Sequence, residues 1–158
     1  MNKLQPNSHH CFVCGLSNHY GLQLRFYETG PGEVTAHFTV PDQFQGYPGV
    51  VHGGIVTAML DEVTGRAHIQ GERARFMYTA KLEVRFRKNV PIGEPLRVVG
   101  RVEKSKSRMA TSEGMIYGPQ GDLLAEAKAL HVDLPESEVN SVDLDALGWK
   151  VYDEPASE

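Results

Sequence analysis

Two acids inside an apolar run are the first residues whose type and spacing suggest chemistry. In "GVVHGGIVTAMLDEV", Gly49 to Val63, a His-Gly-Gly stands at the mouth of the run, and Asp61 and Glu62 follow within it. If the run is helical, Gly53 and Gly54 open it. The first N–H groups of a helix have no intrahelical partner and carry the positive end of its dipole. Residues without side chains there let a ligand approach the backbone, which suits a carbonyl oxygen becoming an oxyanion. A plain loop-to-helix junction would also use glycine, and His52 would serve it as a cap or orient a ligand. The acids differ in their neighbours. At about 100° per residue, Asp61 shares a face with Gly54, Ala58, Gly65 and His68. Glu62 has Arg66 four residues on, and an exposed Glu–Arg pair accounts for it. The residues three and four away from Asp61 are Thr57, Ala58, Thr64 and Gly65, none of them basic. An ionised carboxylate on an apolar helix is costly without partners. Asp61 is therefore expected either to bond to a neighbouring strand or buried water, or to work as a base toward water or as a nucleophile.

Such residues need a helix held against a sheet, and the rest of the chain supplies the strands. "GLQLRF" alternates, with Leu22, Leu24 and Phe26 on one side and Gln23 and Arg25 on the other, the pattern of a half-buried strand. After the turn "TGPGE", "EVTAHFTV" alternates through Val34, Ala36, Phe38 and Val40 and completes a hairpin. The loop "PDQFQGYPG" leads to a helix predicted from about Gly53 to Ile69, and the polar linker "QGERAR" leaves it. "TAKLEVRFR" is the clearest strand: Leu82, Val84 and Phe86 inward, Lys81, Glu83, Arg85 and Arg87 outward. "LRVVGRVE" and "RMATSEGMIYG" are two more strands around the basic tip "KSKS". "LLAEAKALHVDL" has helical propensity yet alternates through Ala125, Ala127 and Ala129. It is read as a strand, in part because of the resemblance described below. Residues 136–158 are acidic, with an apolar cluster of Leu144, Leu147, Trp149 and Val151, and are expected to form a short helix or docked tail that frays at its end. The order is an α+β architecture of six antiparallel strands and one long helix. That helix is apolar nearly all round, which suits one wrapped by a curved sheet. The expected divisions are an irregular lead-in containing Cys and His (1–20), one domain (21–134) and an acidic tail (135–158).

"GYPGVVHGGIVTAMLDE" resembles the signature of hotdog-fold acyl-CoA thioesterases, in the PaaI-like branch. In that pattern His-Gly-Gly opens the central helix and an Asp follows nine residues after the His, as Asp61 follows His52. "MYTAKLEVRFRKNVPIGEPL" is similar to the family's third strand, which begins with a Ser or Thr near the active site; that position here is Thr79. The resemblance extends over about residues 20–134. It implies a hotdog fold and hydrolysis of a thioester to free acid and CoA without a cofactor. It casts Asp61 as the catalytic carboxylate and the Gly53 amide as the oxyanion donor. Thr79 becomes the orienting hydroxyl and His52 the buttress of the helix entrance. Gly54 and Gln45 are then expected at the substrate. Gln45 stands near where some relatives carry an Asn before the His-Gly-Gly. Arg85, Arg87 and Lys88, and the tip residues Lys104, Lys106 and Arg108, are candidates for the CoA phosphates, although a solvated hairpin accounts equally for the tip. The resemblance also implies a homodimer with its sites at the interface, extendable to a homotetramer as a dimer of dimers. Spacing argues the same way. Gly53 and Asp61 lie about 12 Å apart along one helix, too far to serve one thioester carbon. Two other readings stay open. One is a hotdog hydratase or dehydratase using His52 and Asp61 as an acid–base pair. The other is a non-catalytic acyl-CoA sensor, against which a retained Asp61 speaks.

The totals narrow the classes further. The 158 residues suit one domain with a real core. A net charge of −4 gives a nucleic-acid partner no global support. "MNKLQPNSHH" lacks the apolar stretch of a signal peptide, and no run approaches the roughly 20 apolar residues of a membrane span, so no membrane partner and a cytoplasmic location are expected. Cys11 and Cys14, in "HHCFVCGLSNH", have the shape of a zinc knuckle that His9, His10 or His19 would complete. A full zinc signal has two knuckles, so packing is the favoured account, with a redox pair as a third. No metal is expected in the catalytic site.

Overall fold

The computed structural model describes residues 2–71 and 74–154, and in it an antiparallel sheet wraps one long helix. In chain order the elements are β1 (Lys3–Leu4), β2 (Tyr27–Gly30), β3 (Glu33–Thr39), a 3-10 turn (Asp42–Phe44), α1 (Gly53–Arg66), β4 (Met77–Phe86), β5 (Pro95–Ser105), β6 (Met109–Tyr117), β7 (Leu123–Asp133) and α2 (Glu136–Ser141). The strands lie in the order β1-β2-β3-β5-β6-β7-β4, every neighbouring pair antiparallel. This is the expected α+β hotdog arrangement. The described residues hold seven strands rather than six: β1 and β2 are added, and the strand expected over residues 21–26 does not form. β4 ends the sheet, so its outer backbone edge has no ladder partner among the described residues.

Period-two alternation buries one face of each main strand: Val34 and Ala36 of β3, Val98 of β5, Ile116 of β6, and Ala125 and Ala127 of β7. Against them α1 sets Val56, Met59, Leu60 and Val63, all buried. Two glycines paired across β5 and β6, Gly100 and Gly114, form the trench that admits the helix. A Cβ on Gly100 would stand 2.1 Å from the Val63 carbonyl oxygen. No larger residue there would let the sheet close on α1.

Three expectations are corrected. Leu22, Leu24 and Phe26 are buried, but the segment is not a ladder strand. Gln23 takes φ 55, and the backbone instead bonds to the lead-in, Leu22 N–H to Phe12 O and Leu24 N–H to Val13 O, both 2.8 Å. The helix stops at Arg66 rather than Ile69, because His68 and Ile69 donate to residues three back, Gly65 and Arg66, and tighten the last turn. Phe86 is on the inward face yet 54% exposed. Its ring lies over Gly53, where a Cβ would be 3.6 Å from Phe86 Cζ. The tail docks beside the lead-in: Asn7 N–H donates to Lys150 O at 2.9 Å, and Trp149 packs edge-on against Phe76. The fraying expected at the chain's end, and residues 72 and 73 of the polar linker, lie outside the described residues. No described helix is long and apolar enough to cross a membrane.

Candidate active site

The helix entrance is held by backbone bonds before any side chain acts. Val51 N–H donates to Val90 O (2.8 Å) and His52 N–H to Phe44 O (2.9 Å), which fixes the loop against the start of α1. His52 is the N-cap, and its Nδ1 accepts from Gly54 N–H at 2.9 Å. An acceptor at Nδ1 leaves the proton of the neutral ring on Nε2. Position 54 must be small, since a Cβ there would stand 3.1 Å from His52 Nδ1. The Gly54 amide is thus already used. The Gly53 N–H has no acceptor among the described residues, and Gly53 is exposed. It opens onto a cleft of about 730 Å³ lined by His52, Val56, Phe86, Arg87, Lys88 and Gln45, among others. Gln45 is exposed, and its Oε1 accepts from Gly49 N–H at 3.0 Å, bracing the loop.

Asp61 lies two turns further in and outside this cleft. Thr79 Oγ1–H donates to Asp61 Oδ1 at 2.7 Å. Oδ2 has no hydrogen bond among the described residues, and Asp61 is half-buried. This meeting depends on a β-bulge. Strict alternation from Leu82 and Val84 would turn Thr79 outward with Lys81. On β7, Ala125, Ala127, Ala129 and His131 all face in. Phe86, Val84 and Leu82 pair with the three alanines, but Thr79 pairs with His131 and Lys81 with Leu130, so Ala80 is the extra residue. The bulge inverts the phase and aims Thr79 at α1.

A buried polar layer backs the carboxylate. Thr64 Oγ1–H donates to Asp61 O (2.8 Å), Ser112 Oγ–H to Thr64 O (3.1 Å), and Ser112 Oγ lies 2.9 Å from His131 Nε2. His68 and His131 pack edge-on, centroids 5.2 Å apart. Burial lowers the pKa of both rings; His68, with His131 and Arg75 also opposing its charge, falls to about 4. Sequence reading missed His131, although it continues the inward series of Ala125, Ala127 and Ala129.

The basic candidates divide. Arg87 and Lys88 line the cleft but pair with Glu126 and Asp122, at 2.8 and 2.9 Å. Arg85 is exposed opposite Glu126 and does not line it. Lys104, Lys106 and Arg108 are exposed at the far end of β5, roughly 30 Å along the strand from the end nearest the cleft.

Glu62 differs from its sequence reading. It pairs with Arg66, Nε to Oε1 2.9 Å, but Arg66 is only 2% exposed. Arg66 stacks on Phe26 and Trp149, and its Nη1 donates to Pro6 O at 2.5 Å. Burial pushes the Glu62 carboxyl up to about 7 against the pull of Arg66. On this side of α1, Glu62 approaches Cys11 and Cys14, which are both free thiols. None of the histidines offered as completing a zinc knuckle joins this group, and His9 lies against Tyr152 and Ser17.

The fold, the glycine entrance and the carboxylate–hydroxyl pair define a class, and comparison with known proteins agrees. The thioesterase superfamily model matches residues 48–129, just over half of the chain, and the chain belongs to that superfamily. It is 27% identical over 110 residues to acyl-coenzyme A thioesterase THEM4 of Xenopus laevis, covering 69% of this chain and 49% of that protein. The crystal structure of a thioesterase superfamily protein superposes with a TM-score of 0.72 at 31% identity, covering 78% of this chain and 63% of the other. The PaaI protein of the E. coli phenylacetic acid degradation operon gives 0.65 at 16% identity, covering 72% and 81%, a likeness of fold. The chain thus spans about half the length of the THEM4 relative.

Proposed function

We propose that this chain hydrolyses an acyl-CoA thioester to the free acid and CoA, in a homodimer whose two sites each draw on both chains. The observation that carries the reading is the Asp61–Thr79 hydrogen bond, two helical turns from an unpartnered Gly53 amide. Thr79 occupies Asp61 Oδ1 and leaves Oδ2 for water or for the thioester carbon. As base, Asp61 takes a proton from water while the water oxygen attacks the carbonyl; as nucleophile, it forms an anhydride that water then cleaves. In either route the carbonyl oxygen gains charge toward the Gly53 N–H of the other chain, and the thiolate of CoA leaves and is protonated. The exposed edge of β4 and the open face around Asp61 and Thr79 favour a second copy there. Residues 21–134 form the catalytic unit in this reading. Arg87 and Lys88, at the rim of the cleft, are the residues we assign to the CoA phosphates, with Arg85 and the tip as outlying candidates.

A hydratase would need His52 as a base. Its Nδ1 already accepts the Gly54 N–H, which favours hydrolysis. The test is a thiol-release screen over acyl-CoAs of varied chain length and aromatic character, with a crotonyl thioester followed in parallel for water addition. Release of CoA thiol with at least one acyl-CoA is expected. Water addition without thiol release, or binding without turnover across the series, overturns the reading.

A further inference from the structure

The lead-in brings a second group of reactive side chains against α1, about 100° round the helix from Asp61. Cys11 Sγ, Cys14 Sγ and a carboxylate oxygen of Glu62 all lie within 4.8 Å of one another, and Cys11 Sγ is 3.9 Å from Glu62 Oε2. Ligand atoms of one tetrahedral zinc ion stand about 3.5–3.8 Å apart, given zinc–sulfur bonds of about 2.3 Å and zinc–oxygen bonds of about 2.0 Å. We propose that Cys11, Cys14 and Glu62 are a zinc site, with water in the fourth position.

The turn that carries the cysteines is shaped for this. Cys14 N–H points at Cys11 Sγ at 3.4 Å. Backbone donors aimed at sulfur favour its thiolate form. Gly15 N–H closes the turn onto Cys11 O at 2.8 Å. A Cβ on Gly15 would stand 2.4 Å from Cys11 O and 2.6 Å from Cys11 N, so this conformation requires glycine. Asn7, itself buried, fixes the turn from below: its Nδ2 donates to Cys14 O and to Leu24 O, both at 2.7 Å.

Glu62 is divided between two partners. Oε1 accepts from Arg66 Nε at 2.9 Å, and Oε2 faces Cys11. Arg66 therefore orients the carboxylate in the way an outer partner orients a metal ligand. Charge closes on the same composition. Two thiolates and one carboxylate carry three negative charges, and Arg66 with a divalent ion carries three positive ones. With Cys14 and Arg66 buried, neutrality has real weight. Two thiolates with one carboxylate select zinc over magnesium or calcium. Such an ion would tie the lead-in to the residue beside Asp61, a structural role independent of the thioesterase reading.

The experiment uses the full chain, purified under reducing conditions, stripped with a chelator and titrated with cobalt(II). One cobalt per chain is expected, with a thiolate-to-cobalt charge-transfer band and visible bands of tetrahedral intensity, displaced by zinc. Cys11→Ser and Cys14→Ser should each weaken the charge-transfer band. Glu62→Gln should keep it while lowering affinity at least tenfold. The wild-type titration decides by itself even where a variant fails to fold. Absence of a thiolate band in reduced wild type, or a band unchanged in both serine variants, overturns the proposal.

Discussion

Asp61 and Glu62 are adjacent in sequence, and the two sides of α1 they occupy are built on opposite terms. Asp61 faces the edge strand, half-buried, with one hydroxyl on Oδ1 and no hydrogen bond to Oδ2 among the described residues. Glu62 faces the lead-in, engaged by a buried Arg66 and close to two thiols, with its carboxyl pushed up to about 7 by burial. A search for perturbed acids alone would choose Glu62. The contrast shows that perturbation measures how tightly a group is enclosed. Reaction also requires a free oxygen on the group, and of these two acids Asp61 has one oxygen positioned by Thr79 and the other without a hydrogen bond among the described residues.

The largest effects should separate the two sides by what they damage. Arg66→Ala leaves Glu62 without its cation and removes the stacking on Phe26 and Trp149. A loss of about 3–5 kcal/mol in stability is expected, read by urea unfolding. Asp61→Asn should leave stability nearly unchanged and lower turnover at least a hundredfold, about 3 kcal/mol of barrier. Glu62→Gln should cost turnover less than tenfold. Equal turnover losses in Asp61→Asn and Glu62→Gln would erase the distinction.

A smaller effect concerns the polar layer behind Asp61. The folded pKa of His68, about 4, lies below its ordinary value near 6.5 because of burial and the facing His131 and Arg75, with Asp133 pulling the other way. The unfolded chain then binds more protons between about pH 6.5 and 4, so stability falls as pH falls through that window. His68→Gln should flatten this acid limb by roughly 1–3 kcal/mol, measured as unfolding midpoint against pH. An unaltered slope would mean that His68 is not the group being titrated. Thr79→Ala removes one hydrogen bond from Asp61, and a loss of about tenfold in turnover is expected. Unchanged kinetics would reduce Thr79 to a strand residue.

How much of this was legible depends on the range of the determinants. The inward series of β3, the start of α1 at Gly53 and a helix wrapped by a sheet follow from local periodicity and the glycine entrance. The strand reading of β7 rests in part on the resemblance to a family, and the hotdog fold itself rests on it. The bulge at Ala80 could not be read that way. Period-two alternation gives Thr79 the wrong face, and only pairing with His131 of β7 corrects it. Arg66 looked like half of a surface pair because an i, i+4 rule cannot see that Pro6, Phe26 and Trp149 close over it. Leu22 to Phe26 alternate and are buried as expected, yet Gln23 breaks the ladder because the lead-in supplies other acceptors. Each failure lies where a distant segment decided the outcome.

The smallest expected signal is also the one that tests whether the open side of α1 is completed by a second chain. Within one chain, the Gly53 amide and Asp61 are about 12 Å apart along the helix, and only the Gly53 end opens onto the cleft. A thioester carbon must lie within about 3 Å of its attacker and place its oxygen at the donor. Two copies of α1 related by a two-fold axis can bring Gly53 of one beside Asp61 of the other. Gly53→Pro removes the donor cleanly. Position 53 is the first helical residue, where proline is tolerated, and its N–H has no acceptor to lose among the described residues. His52 has ψ 135, the extended conformation that a residue before proline prefers. The nearest atom to an added Cβ is 3.6 Å away, on Phe86. Asp61→Asn removes the carboxylate. When equal amounts of the two inactive proteins are co-refolded, about half of the dimers are mixed. In each of these, one site carries both lesions and the other carries neither. About a quarter of wild-type activity should return. If each site lay within one chain, every site would keep one lesion and mixing would restore nothing.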